Sequence, residues 1–413
     1  MTPTLQAFQE YNTVGKQMKE DRLLLALLLL SVLLLSSIPS FYGFLSAPPE
    51  GQWTGILTQN TADLNGYLSI IEEIRQGHLR GRNLFTAEPH LPFQIRPYFT
   101  ALGLLGRLFP AVSNVALLEL GRLVSATCFL LILILLVRHL LTKKDERVIA
   151  FLVLSLGSGF GWLHLQPITL DLGLVETSTF LTLTAPPLYT VSLSLIVGIL
   201  LCIERSWNFQ NGIRWSIVAG ILALWLGFDR PFSLATISIA VAAAFVLETV
   251  RSRRFQTTKF LLILPLVIGA GIALAYHAYY VSKISVYAEW NRQHILPTPE
   301  TISLVNAAGL LLPGAILGIK PFLSSRPTLG ALVGFYMLAS LLLIHSPLSF
   351  QVRFLEGLPL CLALFTVYAV IAGIRRLTGG PLRTLAAAVA IAILIPSSFA
   401  AVARDLEAIA RQT

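Results

Sequence analysis

The residues of this chain with side chains able to do chemistry lie between long apolar blocks. The carboxylates are Asp63, Glu88, Asp171 and Glu176; the cations are Arg96, Arg230, Arg292, His294 and Arg353, and Tyr67 follows Asp63 by one helical turn. A carboxylate can take the proton of an attacking hydroxyl, and arginine offers a phosphate a planar fork of donors. Each residue also has a plainer reading. Asp63 falls in the first turn of an expected helix, where the helix dipole favours any acid. Arg353 can pair with Glu356 three residues on, and Arg230 can neutralise Asp229 or snorkel to headgroups. Glu119 and Arg122 read as a structural pair, and Glu248 can reach Arg251. His277 and His345 lack a partner motif, so a metal is possible but not indicated, and no cofactor is expected. Cys128, Cys202 and Cys361 fall inside apolar blocks, with neither zinc nor disulfide spacing.

The elements that position these groups follow from composition. The chain has 413 residues, 55% hydrophobic and 12% charged, with mean hydropathy +0.74. Ordinary globular chains are roughly 25% charged, so a soluble fold would have too little polar surface to cover itself. The long apolar blocks exclude disorder and predict an all-α integral membrane protein. About eleven spans are expected, at 23–45, 115–137, 148–165, 187–204, 214–228, 232–250, 260–281, 303–319, 327–345, 354–373 and 384–402. With the N-terminus in the cytoplasm, every short inner segment is basic, as in Arg138, Lys143, Lys144 and Arg147 or Arg375, Arg376 and Arg383, while 166–186 has no Lys or Arg. Orientation therefore accounts for much of the net charge of +9, and the nucleic-acid reading falls. The expected organisation is a cytoplasmic segment 1–22, one transmembrane domain 23–403 with a long outer loop 46–114, and an outer tail 404–413.

Most polar residues without an orientation role collect on the outer side. In the first outer loop, Leu64, Tyr67, Leu68, Ile71 and Ile74 recur at helical spacing from Thr61, an N-cap, to Gly77. Glu72, Glu73 and Arg75 fall on the opposite face, read as solvated. The pattern predicts a helix lying on the membrane surface, with a second interfacial stretch at 97–110. Trp162 and His164 read as interfacial anchors, and Gly157 and Gly161 as close-packing positions.

One span followed by TADLNGYLSIIEEIRQG and NLFTAEPH resembles the polytopic GT-C glycosyltransferases. GSGFGWL (157–163), DLGLVETSTFLTLTAPP (171–187), GFDRPFS (227–233) and VRFLEGLPL (352–360) are similar to stretches of uncharacterised bacterial members. The resemblance implies a GT-C-like fold and a sugar transferred from a polyprenyl-phosphate donor to a glycan, lipid or protein acceptor outside the cytoplasm, in a plasma (inner) membrane. It makes Asp63 the expected base, followed by Glu88 and Asp171. Arg230 and Arg353 are expected at the donor phosphate, with Arg292 and His294 reaching over it. Glu176 is expected to hold donor or acceptor hydroxyls, with Tyr67 and Arg96 in the same subsite. A lipid phosphate is a good leaving group, so the chemistry needs a base and a cation rather than a strong acid; a single displacement inverts the anomeric carbon. The sequence departs from the family at Ala62, where the protein mannosyltransferase branch has a second acid, and lacks histidines expected near Pro187 and before Pro231. A transporter or lipid flippase, or a non-catalytic GT-C-like subunit, remains the alternative.

Overall fold

The computed structural model describes residues 3–47, 53, 55, 61–163, 168–208 and 211–411, without the side chains of 3–20, 61 and 62. His164 and the Thr61 side chain lie outside the described residues.

Helix α1 (Pro3–Ser46) runs unbroken through the first apolar block. The first long loop then forms α2 (Thr61–Arg75) and α3 (Pro97–Leu108), which join through buried Ile71, Ile74, Phe99 and Leu102. The charged face of α2 does more than face water. Glu73 is buried and holds Arg82 through its side chain at 2.8 Å and its backbone N–H at 2.6 Å. Glu72 accepts from Asn114 at 2.7 Å, and Arg75 donates to Asn114 and to the carbonyls of Val112 and Pro110. This face staples the loop to the start of the next span.

Helices α4 (Asn114–Leu140) and α5 (Lys144–Leu156) follow. Helix α5 stops at Leu156, short of the expected 165, because GSGFG leaves the helix and pairs elsewhere: Ser158 N donates to Leu394 O and Phe160 N to Asn306 O, both at 3.0 Å. Of the expected outer loop 166–186, residues 168–186 are folded into the bundle, as α6 (Leu170–Gly173), a 3₁₀ turn Val175–Thr177 and α7 (Thr179–Thr184). Its threonines bond backward to carbonyls, Thr177 to Leu170 at 2.7 Å and Thr182 to Thr179 at 2.7 Å. That satisfaction lets a hydroxyl-rich segment be buried.

Next come α8 (Leu188–Asn208), α9 (Gly212–Asp229), α10 (Pro231–Ser252), α11 (Thr257–Lys283) and the short α12 (Ser285–Gln293). The expected span 303–319 is broken into α13 (Thr301–Ala308) and α14 (Leu311–Ser325), bent by 67°. The break falls at Gly309, with φ +50°, against Gly159; a Cβ on Gly159 would lie 2.3 Å from the Asn306 and Ala307 carbonyls. Finally α15 (Pro327–Leu343), α16 (Leu358–Arg376), α17 (Gly380–Leu394) and α18 (Pro396–Ala410) close the bundle. Residues 404–410, read as tail, are helical, with Asp405 and Ile409 buried.

Among the described residues eight helices are long and apolar enough to cross a membrane, or nine when the bent pair is one crossing. The core joins α4, α5, α8, α9, α10, α14, α15 and α16 through side chains such as Phe129, Phe151, Ile199, Val241, Phe322 and Phe365. Leu131, Leu135, Ile221, Ile268, Leu317 and Leu385 stay exposed, as a lipid-facing surface requires. Glu248 pairs with Lys259 at 2.6 Å rather than with Arg251. Arg122 bonds Glu119 at 2.5 Å, as expected, and also Ser37 and the Leu183 carbonyl.

Candidate active site

Three turns aim charged side chains at one point. In the first, the Thr177 hydroxyl locks the 3₁₀ turn that carries Glu176, and Ser178 caps α7. In the second, Pro231 forces Arg230 out of helical geometry, to φ −142°, so α9 ends and α10 begins on that residue. The third is a 3₁₀ turn, Gln351–Leu355, followed by Gly357 at φ +82°, which a side chain would strain. The Tyr336 hydroxyl donates to the Glu356 carbonyl at 2.8 Å and fixes that turn.

The result is a buried charge network. Arg353 Nη1 lies 2.5 Å from Glu176 Oε1 and 3.0 Å from the Tyr189 hydroxyl. Arg353 Nη2 lies 3.9 Å from Asp63 Oδ2. Arg230 Nη2 contacts the same Glu176 oxygen at 3.4 Å, while its Nε donates to Glu356 Oε2 at 3.0 Å, and Ser233 donates to that oxygen too. The Arg230 guanidinium sits 4.6 Å from the Tyr189 ring. Burial works to raise the Glu176 carboxyl, but Arg353 and Arg230 outweigh it and hold the group below the ordinary value of 4.5.

Exposure divides the roles. The Arg230 side chain is 4% exposed and its fork is taken by two carboxylates, so it positions Glu176 and Glu356. Arg353 is 14% exposed, with Nη2 turned toward Asp63, and the Asp63 side chain is 44% exposed. Within the network these last two are the more exposed charges. Tyr67 stacks on Phe99 at 4.6 Å; burial, then the Asp63 charge, raise its phenol against the pull of Arg96, Arg230 and Arg353. Arg96 Nη1 donates to the Asp229 carbonyl at 2.7 Å, where the C-terminus of α9 favours a cation. Burial, then the Arg353 charge, lower the His294 imidazole against the opposing pull of Asp63.

Asp63, Tyr67, Arg96, Glu176, Arg230, His294 and Arg353 thus share one neighbourhood. Other expected site residues take different positions. Asp171 is buried, and its Oδ2 accepts from Gly161 N at 3.0 Å, where it holds the break after α5. Arg292 is exposed and pairs with Glu289 at 2.6 Å. Glu88 lies on the exposed 86–90 turn, its carbonyl 2.8 Å from His90 Nδ1. Two plain readings are replaced. Arg353 pairs with Glu176 rather than Glu356, because Arg353 lies inside the 3₁₀ turn while Glu356 ends it with a non-helical backbone, φ −57° and ψ 128°. Arg230 pairs with the glutamates, while Asp229 accepts from Trp225 at 2.9 Å. Sequence reasoning missed Tyr189 and Ser233, and took Glu356 only as a neighbour of Arg353. The signal for Tyr189 and Ser233 was their position just inside apolar blocks that end at the outer side.

Glu176 also forms part of a second feature. A cavity of about 340 Å³ runs from Glu176 and Thr177 between α13, α14, α15 and α16, lined by apolar side chains such as Leu304, Leu311, Ile319, Met337 and Leu362. Among the described residues no three His, Cys, Asp or Glu side chains are grouped to hold a metal ion.

No family model and no curated protein matches the chain. Solved structures do. The oligosaccharyltransferase of Archaeoglobus fulgidus, tethered to an acceptor peptide containing an NVT sequon, matches with TM-score 0.51 at 15% identity, over 92% of this chain and 55% of that one. Its apo form matches with TM-score 0.50 at 16% identity, over 92% and 56%. The fold is GT-C. This chain spans about half the length of those archaeal proteins, and at such identity the likeness concerns the fold. Within that fold, the charge network lies where α2, the turn before α7, the α9–α10 turn and the turn before α16 converge.

Proposed function

We propose that this protein is an inverting membrane glycosyltransferase that moves a sugar from a polyprenyl-phosphate donor to an acceptor on the outer side of a bacterial plasma membrane, with its N-terminus in the cytoplasm. One observation carries the reading: a reachable carboxylate, Asp63, sits 3.9 Å from an arginine whose partner, Glu176, lines an apolar cavity open to an isoprenoid chain. The cavity suits the lipid, and Arg353 suits its phosphate.

In this reading the donor phosphate competes with Asp63 and Glu176 for Arg353. Asp63, released from its counter-ion, takes the proton of the acceptor hydroxyl. The hydroxyl oxygen bonds to the anomeric carbon as the bond from that carbon to the phosphate oxygen breaks. Arg353 then neutralises the polyprenyl phosphate that departs. Arg230 and Glu356 keep Glu176 in place and touch no substrate.

The test is transfer from a radiolabelled polyprenyl-phosphate sugar by purified protein in lipid nanodiscs, for wild type and Asp63→Asn. Activity in wild type and its loss in a folded variant are expected. Full activity in Asp63→Asn removes the assignment of the base.

A further inference from the structure

Helix α12 and the residue after it carry aromatic rings that the charge network does not use. Tyr287, Trp290 and His294 fall at helical spacing, with Trp290 5.5 Å from Tyr287 at 28° and 5.3 Å from His294 at 30°. Phe93 abuts Tyr287 at 4.9 Å and so ties the strip to the first outer loop. Val286 is buried on the packed side of the helix, whereas Trp290 is 43% exposed.

The strip is fixed beside Asp63 and Arg353. Just past His294, Leu296 N donates to Ser349 O at 2.5 Å and Val352 N to Leu296 O at 3.3 Å. Thr298 N donates to Gln351 Oε1 at 2.8 Å. These bonds staple the strip to the same turn that presents Arg353. The charges of Arg353 and Asp63 both reach His294, and that of Arg96 reaches Tyr287.

Interfacial anchoring is the ordinary use of outer tryptophans. An anchor faces lipid. This strip instead ends at His294, within electrostatic reach of Asp63 and Arg353 and tethered to the turn that carries Arg353, and its helix carries an exposed Glu289–Arg292 pair. A pyranose has one face rich in C–H groups, which packs on an aromatic ring while its hydroxyls stay in water.

We propose that the strip Tyr287–Trp290–His294 is a sugar-binding surface, with Trp290 as the residue that contacts a pyranose ring of the substrate next to Asp63. The proposal deepens the glycosyltransferase reading and rests on it for the source of the sugar, donor or acceptor.

Two measurements separate the possibilities. The first needs no turnover: tryptophan emission of wild type, Trp290→Phe and Trp290→Ala in nanodiscs is titrated with methyl glucoside, mannoside and galactoside. Saturable quenching in wild type, absent in both variants, is expected. No difference between wild type and variants with any of the sugars overturns the proposal. The second is transfer kinetics. Trp290→Ala raises one KM roughly five- to tenfold with kcat nearly unchanged, and Trp290→Phe restores most of it. A raised donor KM assigns the strip to the donor sugar, and a raised acceptor KM to a sugar on the acceptor. Unchanged kinetics in an active, folded Trp290→Ala overturns the proposal. Quenching without transfer by wild type removes the enzyme reading and leaves the sugar site standing.

Discussion

Arg353 Nη1 lies 2.5 Å from Glu176 Oε1, although 177 positions separate the two residues. The same carboxylate oxygen also meets Arg230 at 3.4 Å. One glutamate therefore keeps buried Arg230 and partly exposed Arg353 from repelling each other, and it does so at the head of an apolar cavity.

Removing that glutamate leaves uncompensated charge. Glu176→Ala is expected to destabilise the protein by about 3–5 kcal/mol, the usual cost of breaking a buried pair from one side. Thermal unfolding in detergent reads this directly. A melting temperature equal to that of wild type would show the pair to be dispensable.

The pH dependence has a definite sign. Arg353 and Arg230 hold the Glu176 carboxyl below its ordinary 4.5. A depressed carboxyl contributes stability that is fully present above its unfolded value and is lost as pH falls through the folded value. Wild type should lose melting temperature below about pH 4.5, and Glu176→Gln, already weakened at neutral pH, should lose less over the same range. Parallel curves would assign the acid sensitivity to other groups.

Asp63 is exposed enough that its loss leaves the fold alone. Asp63→Asn should lower transfer by about a hundredfold or more, the usual contribution of a general base, with the melting temperature unchanged. Circular dichroism together with the transfer assay checks both halves.

Arg353→Lys keeps the charge and loses the fork. Lysine cannot meet Glu176 and Tyr189 from one nitrogen while a second reaches toward Asp63, as the two Arg353 nitrogens do. Donor KM should rise about tenfold, in line with one charged hydrogen bond. An unchanged KM would place the phosphate elsewhere.

The cavity predicts dependence on chain length. Ala308 lines it, and Ala308→Phe should displace about two methylene groups of a bound lipid, worth roughly a tenfold rise in KM for a long polyprenyl donor. A donor with a single isoprene unit should be unaffected. Equal effects on both donors would show a general disturbance.

The helices were legible because apolar blocks of about twenty residues have one stable form in lipid. Helix α2 followed from its periodicity, and α3 from the apolar stretch 97–110. Segment 157–186 was not legible. Absence of Lys and Arg marks an outer segment, yet the same absence lets Thr177, Thr182 and Thr184 be buried once their hydroxyls bond backward. Asp63 and Arg353 could be named from their place at the outer ends of apolar blocks. The partner of Arg353 could not, because the i,i+3 rule assumes that helical geometry continues through Glu356, and the chain leaves it at Glu356 (ψ 128°), just before Gly357 turns left-handed, so Glu356 meets Arg230 instead. Asp171, an acid in the expected segment, holds backbone at Gly161; its type alone could not tell the two uses apart.

Arg230 and Glu356 lie 126 residues apart, and a ribosome makes them in that order. While α10 to α15 are being inserted, Arg230 has Glu176 as its carboxylate and Glu176 lacks Arg353. Arg353 and Glu356 come only with the turn that precedes α16. The late turn at 351–357 thus completes the charge network of the earlier spans, and a nascent chain stalled before it has no assembled site.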